Sequence, residues 1–297
     1  MSHAEQSSLT ADTVSAVHSI APVRVPAWAD LPWLWHGFST RAGGVSRVYL
    51  PEEAGSASPG ELNLGFTAHD SEEHVRENRA RFVASITGSR ATPYITARQV
   101  HSCRSVEVDE DLALSAKAAL PGSTFVQDAD GLMTRQAGLL LGIQTADCVP
   151  VLVADPVERA VAAFHAGWRG TVEAIVESGI GRMQAEFGSD PANLIAAIGP
   201  AIGPCCYTVG DEVVDRFSAR FRYASALFTA SETGENSPKL NLAEANRRQL
   251  LTAGLKESSI AVVGGCTSCQ PQLFFSHRAS GGRAGRMMNV IGIRQER

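Results

Sequence analysis

The chain has 297 residues, 44% hydrophobic and 19% charged, the make-up of an ordinary soluble globular protein with length enough for an ample core. A net charge of -5 excludes a broad basic face for nucleic-acid backbone, although one or two arginines suffice for a local anion site. No apolar run reaches the roughly 20 residues that cross a bilayer, the first residues lack the basic start and apolar middle of a secretion signal, and six cysteines, two of them adjacent, do not read as a disulfide framework. The expectation is a reduced, cytoplasmic protein that meets neither membrane nor nucleic acid.

Residues 1–22, rich in Ser, Ala and Thr, are expected to form a disordered tail before a single domain over 23–297. Trp28, Trp33 and Trp35 supply the first apolar anchors, and residues 38–46 read as a strand running into a glycine turn. Residues 51–60, with their Pro, Gly and Ser, predict a surface loop. Asp70 or Ser71 is placed to cap a helix to about Ile86, with Val75, Arg79, Phe82 and Ile86 on one face. Residues 138–144 and 149–154 are continuous apolar runs of strand length; Asp155-Pro156 interrupts, and 160–164 begins a third. His165 then ends one strand, and Cys148 begins its hairpin neighbour. From Thr171 the spacing of Val172, Ile175, Ile180 and Phe187 predicts one helix that stops at Gly188. Leu194 to Ile198 reads as a buried strand, and Asn241 with Glu244 forms a capping pair for a helix through Leu255. No repeat or linker interrupts the pattern. The expected fold is α/β, a single-domain sandwich with mixed sheets flanked by helices.

Three stretches carry the chemistry: 99–102 (Gln-Val-His-Ser), 145–150 (Thr-Ala-Asp-Cys-Val-Pro) and 164–171 (Phe-His-Ala-Gly-Trp-Arg-Gly-Thr). His101, Cys148 and His165 offer two imidazoles and a thiolate, a set that leaves a fourth position open on zinc, as catalytic rather than structural zinc requires. Asp147 is placed to fix an imidazole tautomer or to take a proton. The 167–171 turn opens a helix, so its free N–H groups and Arg169 favour an anion. Asn63 and Gln99 are polar residues within apolar runs, suited either to a structural hydrogen bond or to a substrate contact. Cys266-x-x-Cys269 resembles half of a structural zinc site. No second pair stands at suitable spacing and the vicinal Cys205-Cys206 is poorly shaped to complete it, so an all-cysteine site is not expected. Cys148 as nucleophile with His165 as base also satisfies the logic of a metal-free cysteine hydrolase.

In order along the chain, Phe38-Ser39-Thr40-Arg41, Leu62-Asn63-Leu64-Gly65, Gln99-Val100-His101, Asp128-Ala129-Asp130-Gly131, Thr145-Ala146-Asp147-Cys148 and His165-Ala166-Gly167-Trp168-Arg169-Gly170 resemble the YfiH-like family. The likeness continues through Ile198-Gly199-Pro200, Cys206-Tyr207, Cys266-Thr267 and Phe274-Phe275-Ser276-His277-Arg278. Members of that family are described as multicopper polyphenol oxidases or laccase-like proteins, purine nucleoside phosphorylases and peptidoglycan editing factors. The resemblance implies zinc ligands at His101, Cys148 and His165, and phosphorolysis of adenosine, inosine and methylthioadenosine with adenosine deamination as a companion activity. It also implies an α/β sandwich similar to the catalytic domain of cytotoxic necrotizing factor. Where many members follow this Arg with another Arg and an acidic residue, this chain has Ala279-Ser280.

On that footing Asp147 is the expected proton carrier, Arg41 and Arg169 hold phosphate, and Trp168 or Phe38 stacks on the base. Asn63, Gln99, His277 and Arg278 are further candidate substrate contacts. The partners are a purine nucleoside and phosphate, and the protein is a monomer or homodimer. The rival readings are a Cys-His hydrolase of amino-acid-containing peptidoglycan precursors and a weak copper-dependent polyphenol oxidase, copper replacing zinc at the same ligands. A full multicopper centre is not expected, because the eight histidines include no His-x-His pair. A binding module without activity would leave these ligands and turns as unrelated features.

Overall fold

In the computed structural model, which describes residues 20–118, 125–230 and 237–295, two mixed sheets stack face to face with helices outside both. The strands are β1 Leu34–Phe38, β2 Ala42–Gly44, β3 Gly60–Glu61, β4 Tyr94–Arg98, β5 Ser105–Glu107, β6 Phe125–Asp128 and β7 Gly131–Thr134. There follow β8 Leu139–Thr145, β9 Val149–Asp155, β10 Ala160–Ala166, β11 Ile195–Ile198, β12 Phe228–Thr229, β13 Lys239–Leu240, β14 Ile260–Val262 and β15 Met287–Ile293. One sheet runs β1-β15-β8-β4-β6, the other β14-β11-β9-β10-β7-β5. The α-helices are α1 Glu72–Thr87, α2 Glu110–Ala118, α3 Trp168–Val172, α4 Ile175–Phe187, α5 Asp211–Arg220 and α6 Leu242–Thr252.

Strand alternation explains the layering. Along β9, Val149, Val151 and Val153 join a core shared with α4, α5 and α6, while Leu152 and Ala154 point into the core between the sheets. On β8, Leu139, Leu141 and Ile143 face that same inter-sheet core, and Leu140 packs with Phe82 and Ile86 of α1. Both faces of each sheet are therefore buried, which is why these strands read as unbroken apolar runs. The expected α/β sandwich is the architecture found.

α1 begins at the expected Ser71 cap, whose hydroxyl accepts from the His74 N–H, and ends one residue past Ile86, where Gly88 closes the helix in the left-handed region. The Asn241 side chain accepts from the Glu244 N–H and starts α6, which ends at Thr252 rather than Leu255. The helix expected from Thr171 is instead two. α3 stops at Val172 and α4 restarts at Ile175, because Ala174 adopts φ 60° and breaks the i→i−4 ladder. The glycine turn after Phe38 contains a second short strand, β2, paired with β3. Of the expected tail, residues 1–19 lie outside the described residues.

The layer over β10 is close-packed. Gly179 of α4 lies against the Phe164 ring, and a Cβ at 179 would overlap that ring. Gly179→Ala should therefore lower stability by about 1–3 kcal/mol through overpacking, against the roughly 1 kcal/mol gain that helix propensity alone favours. Urea unfolding measures the sign, and Phe164→Leu in the same chain should recover part of the loss.

Candidate metal centre and its pocket

The hairpin β9–β10 sets two of the three candidate ligands. Its register pairs His165 with Pro150 and Ala166 with Val149, so Cys148, just before β9, faces Gly167, just after β10. His101 arrives from the segment after β4 and stands in the left-handed region at φ 61°. The ligand atoms of His101, Cys148 and His165 all lie within 4.8 Å of one another, and the two imidazole rings meet edge to face at 4.9 Å. Donors on one tetrahedral zinc ion lie about 3.3–3.6 Å apart, given Zn–N and Zn–S bonds of about 2.0 and 2.3 Å. The three residues thus fit a single ion, two nitrogens and one sulfur, with a coordination position to spare. Gly167 makes the approach possible: a Cβ there would stand 3.1 Å from both Cys148 Sγ and His101 Cδ2.

Asp130, between β6 and β7, has no exposed surface and organises this centre. Its Oδ1 accepts from the His101 N–H at 3.0 Å and lies 2.8 Å from His165 Nδ1. Its Oδ2 accepts from the N–H groups of Val100 and Ser102, at 3.2 and 2.7 Å, and from the Ser102 hydroxyl at 2.9 Å. With Nδ1 committed to the carboxylate, Nε2 of His165 is the nitrogen left for a metal. Burial by itself would raise the Asp130 carboxyl, and the His165 and Ser102 hydrogen bonds outweigh it and hold the group below its ordinary value.

The thiol and imidazole form an ion pair. Burial would push the Cys148 thiol up, but the His165 charge and hydrogen bonds from both imidazoles pull it down to about 6. Burial would likewise lower His165, and the Cys148 thiolate and Asp130 carry it up to about 9. Between those values the metal-free centre holds a thiolate against an imidazolium.

These groups open onto a cavity of about 610 Å³, within the range of small-molecule sites. His101, Cys148 and His165 line it together with Gln99, His277, Phe66, Arg98 and Arg286. Gln99 reaches it, yet its amide is satisfied by the backbone of Gln144, donating to the O and accepting from the N–H, both at 2.7 Å. Asn63 is fully buried and spends its amide on Gly65, Asp70 and the Arg286 N–H, so it is structural.

The arginines expected to hold phosphate are placed elsewhere. Arg41 pairs with Glu61, donates to the carbonyls of Pro271 and Tyr49, and lines a separate cleft of about 400 Å³. Arg169 is exposed and lies over the Trp168 ring at 4.3 Å, outside the lining of the larger cavity. Arg278 donates from both guanidinium nitrogens to the Thr208 carbonyl at 3.2 Å. Phe38 is buried in the inter-sheet core, where no base reaches it.

Asp147 adopts φ 91°, and its two oxygens accept from the Thr267 hydroxyl at 2.6 Å and the Arg278 N–H at 2.7 Å. The carboxylate beside Cys148 thus anchors the 267–278 loop, while the one that orients an imidazole is Asp130, to which no role was expected. Asp130 stands between β6 and β7, and its partners at 100–102 and 165 come from distant segments of the chain. The structure also gathers Cys205, Cys206, Cys266 and Cys269, against the expectation from their spacing.

A four-layer α/β sandwich whose His-Cys-His cluster lines a pocket shared with Arg98 and Arg286 defines a class of protein built around a candidate metal centre. The chain belongs to the YfiH family: residues 35–294 match the family described as multi-copper polyphenol oxidoreductase laccase. It is 36% identical over 259 residues to the purine nucleoside phosphorylase YlmD of Bacillus subtilis, covering 87% of this chain and 88% of that one. It is also 36% identical over 202 residues to the adenosine deaminase RL5 from an unknown prokaryotic organism, covering 66% of this chain and 74% of that one. The crystal structure of YlmD from Geobacillus stearothermophilus superposes with a TM-score of 0.77 at 37% identity, covering 91% of this chain and 94% of that one. No helix among the described residues is long and apolar enough to cross a membrane.

Two outcomes follow from Asp130 and the ion pair. Asp130→Asn should weaken metal binding about 10–100-fold by loosening His165 and the His101 segment, read by chelator competition. A metal takes thiolate and neutral imidazole, so between about 9 and about 6 its entry expels the His165 proton, and below about 6 the Cys148 proton as well. Apparent affinity should fall about tenfold per pH unit as pH drops through that range and more steeply below it. An affinity that does not change with pH would remove the ion pair from the description.

Proposed function

We propose that the protein is a zinc-dependent purine nucleoside phosphorylase acting on adenosine, inosine and methylthioadenosine, with adenosine deamination as a side activity. The observation that carries this reading is the company His101, Cys148 and His165 keep: an aromatic ring, Phe66, and the cationic side chains Arg98 and Arg286 share their cavity. An aromatic face suits a purine base, and guanidinium groups suit a phosphate dianion. Similarity to proteins named purine nucleoside phosphorylase and adenosine deaminase supports the same substrates.

His101, Cys148 and His165 hold the ion, and Asp130 fixes the His165 tautomer. An ion held there would supply Lewis acidity to the pocket. Arg286, which also donates from Nη1 to the Ala284 and Gly285 carbonyls at 2.8 and 3.2 Å, and Arg98, steadied by its ion pair with Asp128 (Nη2 to Oδ2 at 2.7 Å), hold phosphate within the cavity they line. Phosphate oxygen attacks C1′ of the ribose, the C1′–N9 bond breaks, and the base leaves with a proton delivered to N7. His277, which lines the cavity, is the group assigned to deliver it. Asp147 is assigned a positioning role, since its hydrogen bond to the Arg278 N–H holds the backbone next to His277. The reading places the protein in the cytoplasm, as a monomer or homodimer.

The Cys148–His165 ion pair also suits a cysteine hydrolase, the second reading, with amino-acid-containing peptidoglycan precursors as substrates. A weak copper oxidase is the third, since the family description carries copper and the same three donors accept it.

Incubating the purified protein with adenosine, with and without phosphate, separates these. Adenine and ribose 1-phosphate released only when phosphate is present is the expected result, with at least a 100-fold loss of kcat/KM in His101→Ala, about the scale of removing one electrostatic stabiliser. Arg286→Ala should raise the KM for phosphate about tenfold, the worth of one charge-assisted contact. Adenosine untouched, with Cys148 alkylated by iodoacetamide in the metal-free protein, moves the assignment to the hydrolase.

A further inference from the structure

We propose that Cys205, Cys206, Cys266 and Cys269 form a second metal site, a closed structural one that takes a thiophilic divalent cation of the zinc type. All four Sγ atoms lie within 4.8 Å of one another, and Cys269 Sγ is 3.3 Å from both Cys205 Sγ and Cys206 Sγ. Sulfurs on one tetrahedral zinc stand about 3.8 Å apart, from a Zn–S bond of about 2.3 Å. Two of the sulfur pairs stand about half an ångström closer than that and all pairs fall within 4.8 Å, so small side-chain shifts seat one ion, and all four thiols are free. Four protein sulfurs leave no position for water or substrate, which distinguishes this site from the open one at His101, Cys148 and His165.

The backbone explains how residues 60 apart in sequence converge. Ala201 and Cys266 form a parallel bridge that sets the two segments side by side. The turn at 204–206, closed by the Cys206 and Tyr207 N–H groups donating to the Gly203 carbonyl at 3.0 Å, carries both vicinal thiols to the Cys269 side. This turn overcomes the awkward shape that adjacent cysteines present in an extended chain. The Cys266-x-x-Cys269 turn answers it, with the Gln270 N–H donating to the Cys266 carbonyl at 3.2 Å. The Gly203 N–H points at Cys266 Sγ, 3.2 Å away, a hydrogen bond that favours thiolate.

Charge fits as well. Four thiolates around a divalent cation carry a net charge near -2, and two cations border them. Lys239 Nζ donates to the Cys205 carbonyl at 3.0 Å, and the Arg278 guanidinium lies 3.5 Å from the Cys206 carbonyl. The ion would clamp 201–208 to 266–278, the loop whose Thr267 and Arg278 hold Asp147 beside Cys148. Its role would be to brace the wall of the pocket.

Metal counting tests the proposal independently of any turnover. Protein purified under reducing conditions with zinc supplied should hold about two zinc ions per chain, and Cys269→Ser, His101→Ala and the double variant should hold about one, one and none. Cys269 is exposed, so its serine variant should keep the native circular dichroism; Cys205→Ser, also exposed, serves as a second variant. Reconstitution with cobalt adds a signature. The sulfur-to-cobalt charge-transfer band retained in His101→Ala should be about four times that retained in Cys269→Ser, following the number of thiolates. A wild-type chain with one zinc that vanishes in His101→Ala would overturn the proposal. So would four thiols that iodoacetamide alkylates without denaturant in the zinc-loaded protein, or a mass showing them paired as disulfides.

Discussion

Asp130 is sealed from solvent, and its carboxylate accepts from three successive backbone N–H groups, a serine hydroxyl and an imidazole. Burying a lone carboxylate costs several kcal/mol, so the charge is tenable only because these donors surround it. That requirement shapes the region. The chain from Val100 to Ser102 must curl about the carboxylate, which forces His101 into the left-handed region and aims its ring at His165. The same carboxylate fixes the His165 tautomer, and His165 and His101 together draw the Cys148 thiol down. Pocket floor, ligand set and electrostatics all depend on one buried charge.

A parallel arrangement surrounds Asp147. Like His101 it has positive φ, and its carboxylate serves the 267–278 loop. Two non-glycine residues in an unfavourable backbone region, both next to or among the candidate ligands, concentrate strain where function is expected, and the hydrogen bonds of two acidic residues hold it there. The pocket is thereby bounded by two anchored segments, one on each side of the β9–β10 hairpin.

Much of this was legible from sequence because it is local. The Ser71 cap, the apolar runs of β8, β9 and β10 and the Asn241 cap depend on neighbours within a few residues. The break at Ala174 was not, since the apolar period continues from Val172 to Phe187 and only a backbone angle divides it. The surroundings of the arginines are hidden from the sequence for a similar reason. The partners that occupy Arg41 include a carbonyl 230 residues away, and nothing near residue 41 discloses that. Asp130 and the four cysteines depend on contacts from distant segments too: a carboxylate between strands and a vicinal cysteine pair acquire meaning only when the tertiary fold brings up their counterparts.

The hairpin has a bearing on how an ion enters and leaves. His165 is held by cross-strand pairing in the middle of a six-stranded sheet, where a shift of one residue would turn every side chain to the opposite face, and Cys148 directly precedes the paired strand β9. They form a rigid two-pronged claw. His101 is exposed and belongs to no strand, its backbone and its neighbours tied to Asp130 and its ring set against His165. Exchange kinetics should accordingly be set by one latch: dissociation begins when the His101 segment swings away, and the remaining two-ligand claw passes its ion to any competing chelator without the sheet having to open.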